Sequence, residues 1–322
     1  MREALFIKRN KDRWEKIQGQ ASQDADETAA DFTRLLDDLA YAKSFYPGSQ
    51  VTQFLNSQAS RIYLSIYRNR KEEHNRLVSF WKYDVPLTVR KHHGVMAFAL
   101  VLFVLFFAVG FFSARNDPGF VRDVLGDNYV DMTEENIANG NPLGVYSQGT
   151  PILSFVGFML NNIAVSFFYF AKGLSLGILT MTSLGKEAIR LGAFEHMFFT
   201  KGYGLESAMG VLLHGLLELT AIILACGAGI VLGKSVLFPG TISRLDSLKQ
   251  GAKDGVKIVV GMMPLFIVAA FLEAFVTRFY RMPFILNLSL LLVSFVFVIW
   301  YFIIYPVRLE KKLAVRLEEE EV

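Results

Sequence analysis

An all-α polytopic membrane bundle, with about six spans and a cytoplasmic N-terminal helical domain, is the fold class this sequence predicts. Three observations carry it. Of 322 residues, 52% are hydrophobic and 14% aromatic, including 29 Phe, which is high for a soluble domain and ordinary for a multi-span protein. Several apolar stretches reach the ~20 residues that a helix rising about 1.5 Å per residue needs to cross a ~30 Å hydrocarbon core. The first 94 residues are instead polar, with apolar positions at helical spacing.

In the expected N-terminal domain, 1–94, Asp24 to Tyr46 places Phe32, Leu35, Leu36, Leu39, Ala40 and Tyr46 on one helical face after an acidic opening, DADE. Pro47-Gly48-Ser49 breaks that helix. A second runs from Gln50 to about Trp81 on Val51, Phe54, Leu55, Ile62, Tyr63, Ile66 and Tyr67. The pair reads as an αα-hairpin, with a third helix over Lys8–Gln20. Phe80-Trp81, Lys82, Tyr83, Arg90 and Lys91 read as an interfacial approach to the first span. Nothing at the N-terminus has the charge-then-apolar pattern of a secretory signal.

The transmembrane bundle is expected over 95–305, with spans at about 95–112, 151–171, 173–190, 205–233, 258–277 and 283–305. Lys172-Gly173 makes a very tight connection between the second and third; one long span covering both is the alternative. Charge decides between them. Ser113–Thr150 has two basic residues (Arg115, Arg122) against six acidic ones. Lys234–Lys257 has five basic (Lys234, Arg244, Lys249, Lys253, Lys257) against two acidic, and the tail, 306–322, carries Arg308, Lys311, Lys312 and Arg316. The positive-inside rule puts N-terminus, linker and tail in the cytoplasm, and that parity requires six spans. Lys186, Arg190 and Lys201 then fall on the outer side, against the trend. The 113–150 segment becomes an extracytoplasmic loop with a short amphipathic stretch through Val130, either a small acidic cap or docking loop or a solvated connector. The 186–204 stretch reads as too polar to span, lying along the interface or re-entering partway.

The fourth span, Leu205–Gly233, holds His214 and Glu218 well inside. An ionisable group at a membrane helix centre costs on the order of 2.5–3.5 kcal/mol by insertion scales, so protein must answer it. The two are four residues apart and share a face with Ala225, Gly229 and Gly233, small residues that admit a second backbone. Gly173 and Gly177 offer a similar surface. The spare small faces suggest either contacts within the bundle or a homodimer. Span two adds Asn161 and Asn162 and span five Glu273, with His214 at roughly 14 Å and Glu273 at roughly 6 Å from the outer end. An intramembrane polar cluster of Asn161, Asn162, His214, Glu218 and Glu273 is therefore expected. HGLLE has ligand-compatible spacing, yet zinc usually wants a third firm ligand, His or Cys, and only His196 is at hand; no metal and no cofactor are assigned. There is no CxxC or Walker loop, and no catalytic residue is named. Cys226, alone in an apolar run, can form no internal disulfide.

These residues resemble the stage II sporulation protein M family. The resemblance runs from about Leu35 to Glu273 and rests on YAKSFYPGSQVTQFLNSQASRIYLSIY (41–67), Asn161-Asn162 followed by Gly173 and Gly177, HGLLE (214–218) with Gly227-Ala228-Gly229, Pro239-Gly240 followed by Arg244, and Glu273-Ala274-Phe275. It implies a multi-pass protein of the bacterial cytoplasmic membrane that holds cell-wall hydrolases or other envelope proteins in a complex. Membrane lipid is an implied partner and nucleic acid is not. Two other readings stand beside this scaffold: a transporter or channel subunit using the His/Glu/Asn cluster, and a membrane-embedded metal-dependent hydrolase.

Overall fold

The computed structural model describes residues 3–19, 25–68, 76–117, 119–141, 144, 150–277 and 283–320. Nearly all of them are helical, and no strand occurs among the described residues. The chain divides into two compact units, Met1–Arg76 and Leu77–Val322.

The first unit is three helices, α1 (Glu3–Gly19), α2 (Ala25–Phe45) and α3 (Gln50–Arg68). α1 starts five residues before the sequence placed it, because Phe6 joins the core. That core is Phe6, Trp14, Ile17, Leu35, Leu39, Ala42, Val51, Leu55 and Ala59. Between α2 and α3, Ser49 N–H donates to the Tyr46 carbonyl at 3.1 Å and the Thr52 hydroxyl to the same oxygen at 2.7 Å, closing the Pro47-Gly48 turn. Of the expected stripe, Leu36 and Tyr63 are exposed. The side chains of Asp24–Glu27, Ile66 and Tyr67 lie outside the described residues.

The second unit begins about eighteen residues earlier than the expected boundary at 94. A short α4 (Arg76–Ser79), a wide π-turn at Phe80–Asp84 and α5 (Val85–Lys91) belong to the bundle, because Val85 and Val89 are fully enclosed in its core. The Trp81 indole donates to the Gly261 carbonyl at 3.2 Å, close to where Pro264 interrupts the helix ladder. An interfacial approach reads as polar and aromatic in sequence; here the aromatics are structural.

α6 (His93–Asn116) is the first span. α7 (Phe120–Leu125) and α8 (Asp127–Ala138) follow it, then α9 (Pro151–Ala171), α10 (Ile178–Thr200), α11 (Gly204–Leu237) and α12 (Arg244–Phe271). α12 widens into a π-turn over Leu272–Thr277, and α13 (Phe284–Ile299) passes through another at Trp300–Ile304 into α14 (Tyr305–Glu320). Five helical segments are long and apolar enough to cross a membrane: His93–Asn116, Pro151–Ser175, Gly204–Leu237, Arg244–Thr277 and Phe284–Val315.

α10 is the sixth full-length element, and it corrects the sequence reading twice. It starts at Ile178, not 173, and it continues as one helix to Thr200 instead of turning along an interface. The reason is cover. α10 lies parallel to α6, with Gly185 against Phe106, Gly110 against Ile189, and Gly192 against the backbone from Phe107 to Phe111. Its own Leu184, Ala188, Ala193, Phe194 and Phe198 are buried, so its charged residues sit on the remaining face. The single long span through 172–173 is excluded by a turn at Leu176 (φ 60°) and Gly177 (φ 84°).

α11 is the hub: most of it is buried, whereas the last segment, Phe284–Val315, is almost wholly exposed. Gly227 meets Met96 near the start of α6, whereas Val211 packs with Phe198 at the far end of α10. α12 returns antiparallel to α11, with Gly251 on Ser235 at one end and Thr277 beside His214 towards the other. The helices thus alternate between a near end, where α6 begins, and a far end. At the near end Asp254 binds Lys91 at 2.7 Å and His92 at 2.9 Å, and Arg90 binds Glu310 at 2.7 Å. At the far end α7 and α8 form a small platform in place of the expected loop. Val130 is buried against Phe194, Met197, Phe198 and Val211, while Arg122 reaches Asp131 at 2.7 Å and Glu134 reaches Lys201 at 2.8 Å. Burial pushes the Tyr129 phenol to about 12, so it stays neutral over any working pH. Residues 142–143 and 145–149 of the same segment lie outside the described residues.

Candidate functional site

α11 positions His214 and Glu218 one turn apart on a buried face, because the rest of that face is small and the neighbours close in. The π-turn at the end of α12 then brings Glu273 and Thr277 inward, both buried. Donor atoms of His214, Glu218 and Glu273 all lie within 4.8 Å of one another. His214 is 4% exposed and Glu273 9%. The ring Nδ1 shares a 3.1 Å hydrogen bond with Thr277 Oγ1, and the Gly210 carbonyl one turn back is also within reach of the ring.

α9 contributes Asn162, 7% exposed, whose side chain lies close enough to the Glu218 carboxylate to interact with it. Asn161 is exposed on α9 and touches this arrangement only by donating its amide to Asn162 Oδ1 at 3.4 Å. Of the five polar residues singled out in sequence, the structure brings four together and leaves Asn161 outside. His196 is not among them: it packs edge-on to Phe111, with ring centroids 5.1 Å apart.

Sequence reasoning missed Thr277 and Glu187. Thr277 follows Glu273 by four residues, the same spacing as His214 and Glu218, and that was its available signal. Glu187 accepts from the Tyr169 hydroxyl at 3.5 Å, pairs with Arg190 at 3.8 Å and is close enough to Glu218 to interact with it. The tight turn at Lys172 folds α10 onto α9 and so puts Glu187 near Tyr169.

The site therefore offers one imidazole and two carboxylates in a dry surrounding. Glu218 has the Asn162 amide. Glu273 has neither a hydrogen-bond donor nor a cation among the described residues. An ionised, unpartnered carboxylate is expensive in such surroundings, so the arrangement has to hold a proton or a cation.

The small residues do their work inside the chain. A side chain on Gly173 would collide with the Gly229 carbonyl oxygen, and one on Gly233 with the backbone at Leu176 and Gly177. A Cβ on Gly229 would lie 2.7 Å from both Thr180 Oγ1 and the Tyr169 carbonyl oxygen. Ala225 is fully buried. Gly173, Gly229 and Gly233 thus serve contacts within the chain, between α11 and the α9–α10 connection.

Comparison with known families gives two matches. The model described as Stage II sporulation protein M covers residues 99–278, more than half of the chain. The one described as Domain of unknown function (DUF8413) covers 4–68, so the 41–67 segment that entered the resemblance belongs to a separate match. No curated protein and no solved structure matches.

Proposed function

The chain belongs to the stage II sporulation protein M family, and on that premise we propose that it is a non-enzymatic membrane scaffold that positions cell-envelope proteins, peptidoglycan-remodelling enzymes among them. The observation that supports this reading is the α7–α8 platform. A connector with no task has no reason to bury its own apolar core against α10 and α11. This one is held in place by Val130 and by the Glu134–Lys201 ion pair, leaving acidic side chains such as Asp127 and Asp131 exposed for a partner. The soluble unit formed by α1–α3 offers a second docking body on its own core.

The proposed orientation places the near end in the cytoplasm of a bacterial inner membrane. Lys91, Lys234, Lys249, Lys253 and Lys257 gather there, and the acidic platform occupies the opposite end. Single cysteines placed at Asp131 and Lys249, in a Cys226→Ser background, should react with a membrane-impermeant thiol reagent from opposite sides. Labelling of both from one side would refute the orientation.

The scaffold is tested by affinity purification in mild detergent with mass-spectrometric identification of bound proteins. Val130→Asp places a charge in the platform core, at a cost of several kcal/mol if unpaired. It should release the partners that wild-type protein retains while the bundle stays folded. Partner recovery unchanged by Val130→Asp would remove the platform from the binding surface, and no envelope protein in the wild-type eluate would end the scaffold reading.

A further inference from the structure

We propose that His214, Glu218 and Glu273 bind a first-row divalent transition-metal ion, zinc or manganese(II), which clamps α11 to the end of α12. This goes beyond the scaffold reading and does not depend on it.

Three observations converge. The donor atoms of the three residues lie within 4.8 Å of one another. An ion held by bonds of about 2.0–2.2 Å needs its ligands roughly 3.3 Å apart, so rotation of two glutamate side chains closes the set without moving a helix. Next, the residues around the ligands already hold them as outer partners do in metal sites. Thr277 Oγ1 engages the His214 ring at 3.1 Å, and Asn162 lies beside the Glu218 carboxylate. Finally, Glu273 is 9% exposed, points into the cluster, and meets no donor and no cation among the described residues. It supplies the third ligand atom that HGLLE alone does not.

The donor set selects the class. One imidazole nitrogen with two carboxylate oxygens excludes the soft-metal chemistry of thiolates. Calcium takes six to eight oxygens and magnesium keeps most of its water, neither of which a dry, nitrogen-containing site provides. Two carboxylates and a divalent ion with a neutral imidazole are close to electrically balanced. The competing arrangement is a proton shared between Glu218 and Glu273, which would bind no metal.

The test uses full-length protein purified in mild detergent without chelator. Elemental analysis should find zinc or manganese at roughly one equivalent per chain, as a single three-ligand site requires. After stripping with a chelator, cobalt(II) titration should produce ligand-field bands of nitrogen–oxygen coordination, displaced by zinc. Glu273→Gln should abolish the bands. Thr277→Val, which leaves all three ligands and is the variant to use if Glu273→Gln does not fold, should weaken binding by about 10–100-fold. No metal and no cobalt bands in the wild-type protein would overturn the site in favour of the shared proton. Binding unchanged in the variants would overturn it too, by placing the metal elsewhere.

Discussion

Trp14→Ala is expected to unfold the first helical unit while leaving the bundle intact. Trp14 is 4% exposed and joins all three helices of the unit. Its ring meets Phe6 edge-on at 5.5 Å and Phe54 at 6.1 Å, and its indole N–H donates to Asp38 Oδ2 at 2.8 Å. Truncating a buried tryptophan costs about 3–5 kcal/mol in lost transfer energy and cavity. A unit of 76 residues has about 4–11 kcal/mol in total at the usual 0.05–0.15 per residue. One substitution therefore removes a large share, or all, of its stability. Asp38 keeps Arg13 as a partner, so the loss is chiefly packing rather than a stranded charge. Trp14→Phe separates the terms: it retains most of the ring and forfeits the hydrogen bond, for about 0.5–1.5 kcal/mol plus a small cavity. Limited proteolysis of the full chain in detergent reads this directly. Rapid cleavage within 1–76 and a protected remainder are expected for Trp14→Ala, with Trp14→Phe resembling the wild type. Equal resistance of Trp14→Ala and wild type would mean that this core does not hold the unit.

What the sequence revealed and what it hid follow from range. Apolar length and 3.6-residue periodicity are local, so the helical class, the tight 172–177 turn and most spans were legible. α10 was not, because Lys186, Glu187, Arg190 and Glu195 argue locally for water. Only the parallel contact with α6, through Gly110 and Gly192, shows that one face is covered. Asn161 and Asn162 differ by one residue, or about 100° of helix rotation, and packing alone decides which faces Glu218. The π-turn at Leu272–Thr277 has no residue signature at all. It sets the direction of Glu273, so the depth and face of that carboxylate could be guessed from spacing but its lack of a partner could not. The α7–α8 platform was half legible for a related reason. The amphipathic stretch through Val130 shows, but its five acidic residues dominate the composition, while the five apolar ones that fix it act only against α10 and α11.

Gly173→Val should be the most damaging single change in the bundle. In the 172–177 turn, a short tight helix at Lys172–Ser175 leads to Leu176 at φ 60° and Gly177 at φ 84°, and the whole turn lies flat on α11. Contact there is backbone on backbone: Gly173 against the Gly229 carbonyl, Gly177 and Leu176 against Gly233. A flexible side chain can move away from an added methyl, but a helix carbonyl cannot without breaking its own ladder. Overpacking costs about 1–3 kcal/mol where neighbours can adjust, and this site belongs at or above that upper limit. The damage also propagates. The turn sets the register of α9 on α11, and α9 carries Asn162, so lifting it withdraws the amide from Glu218. Gly157→Ala on the same helix is the matched control, because nothing lies within 4 Å of its added Cβ; the substitution should be neutral or stabilise by up to ~1 kcal/mol through helix propensity. Thermal unfolding in detergent should therefore separate two glycine substitutions on one hairpin, with a large drop for Gly173→Val and none for Gly157→Ala. Equal midpoints for the two would mean that the turn does not rest on α11, and the intramolecular use of the glycine ladder would have to be abandoned.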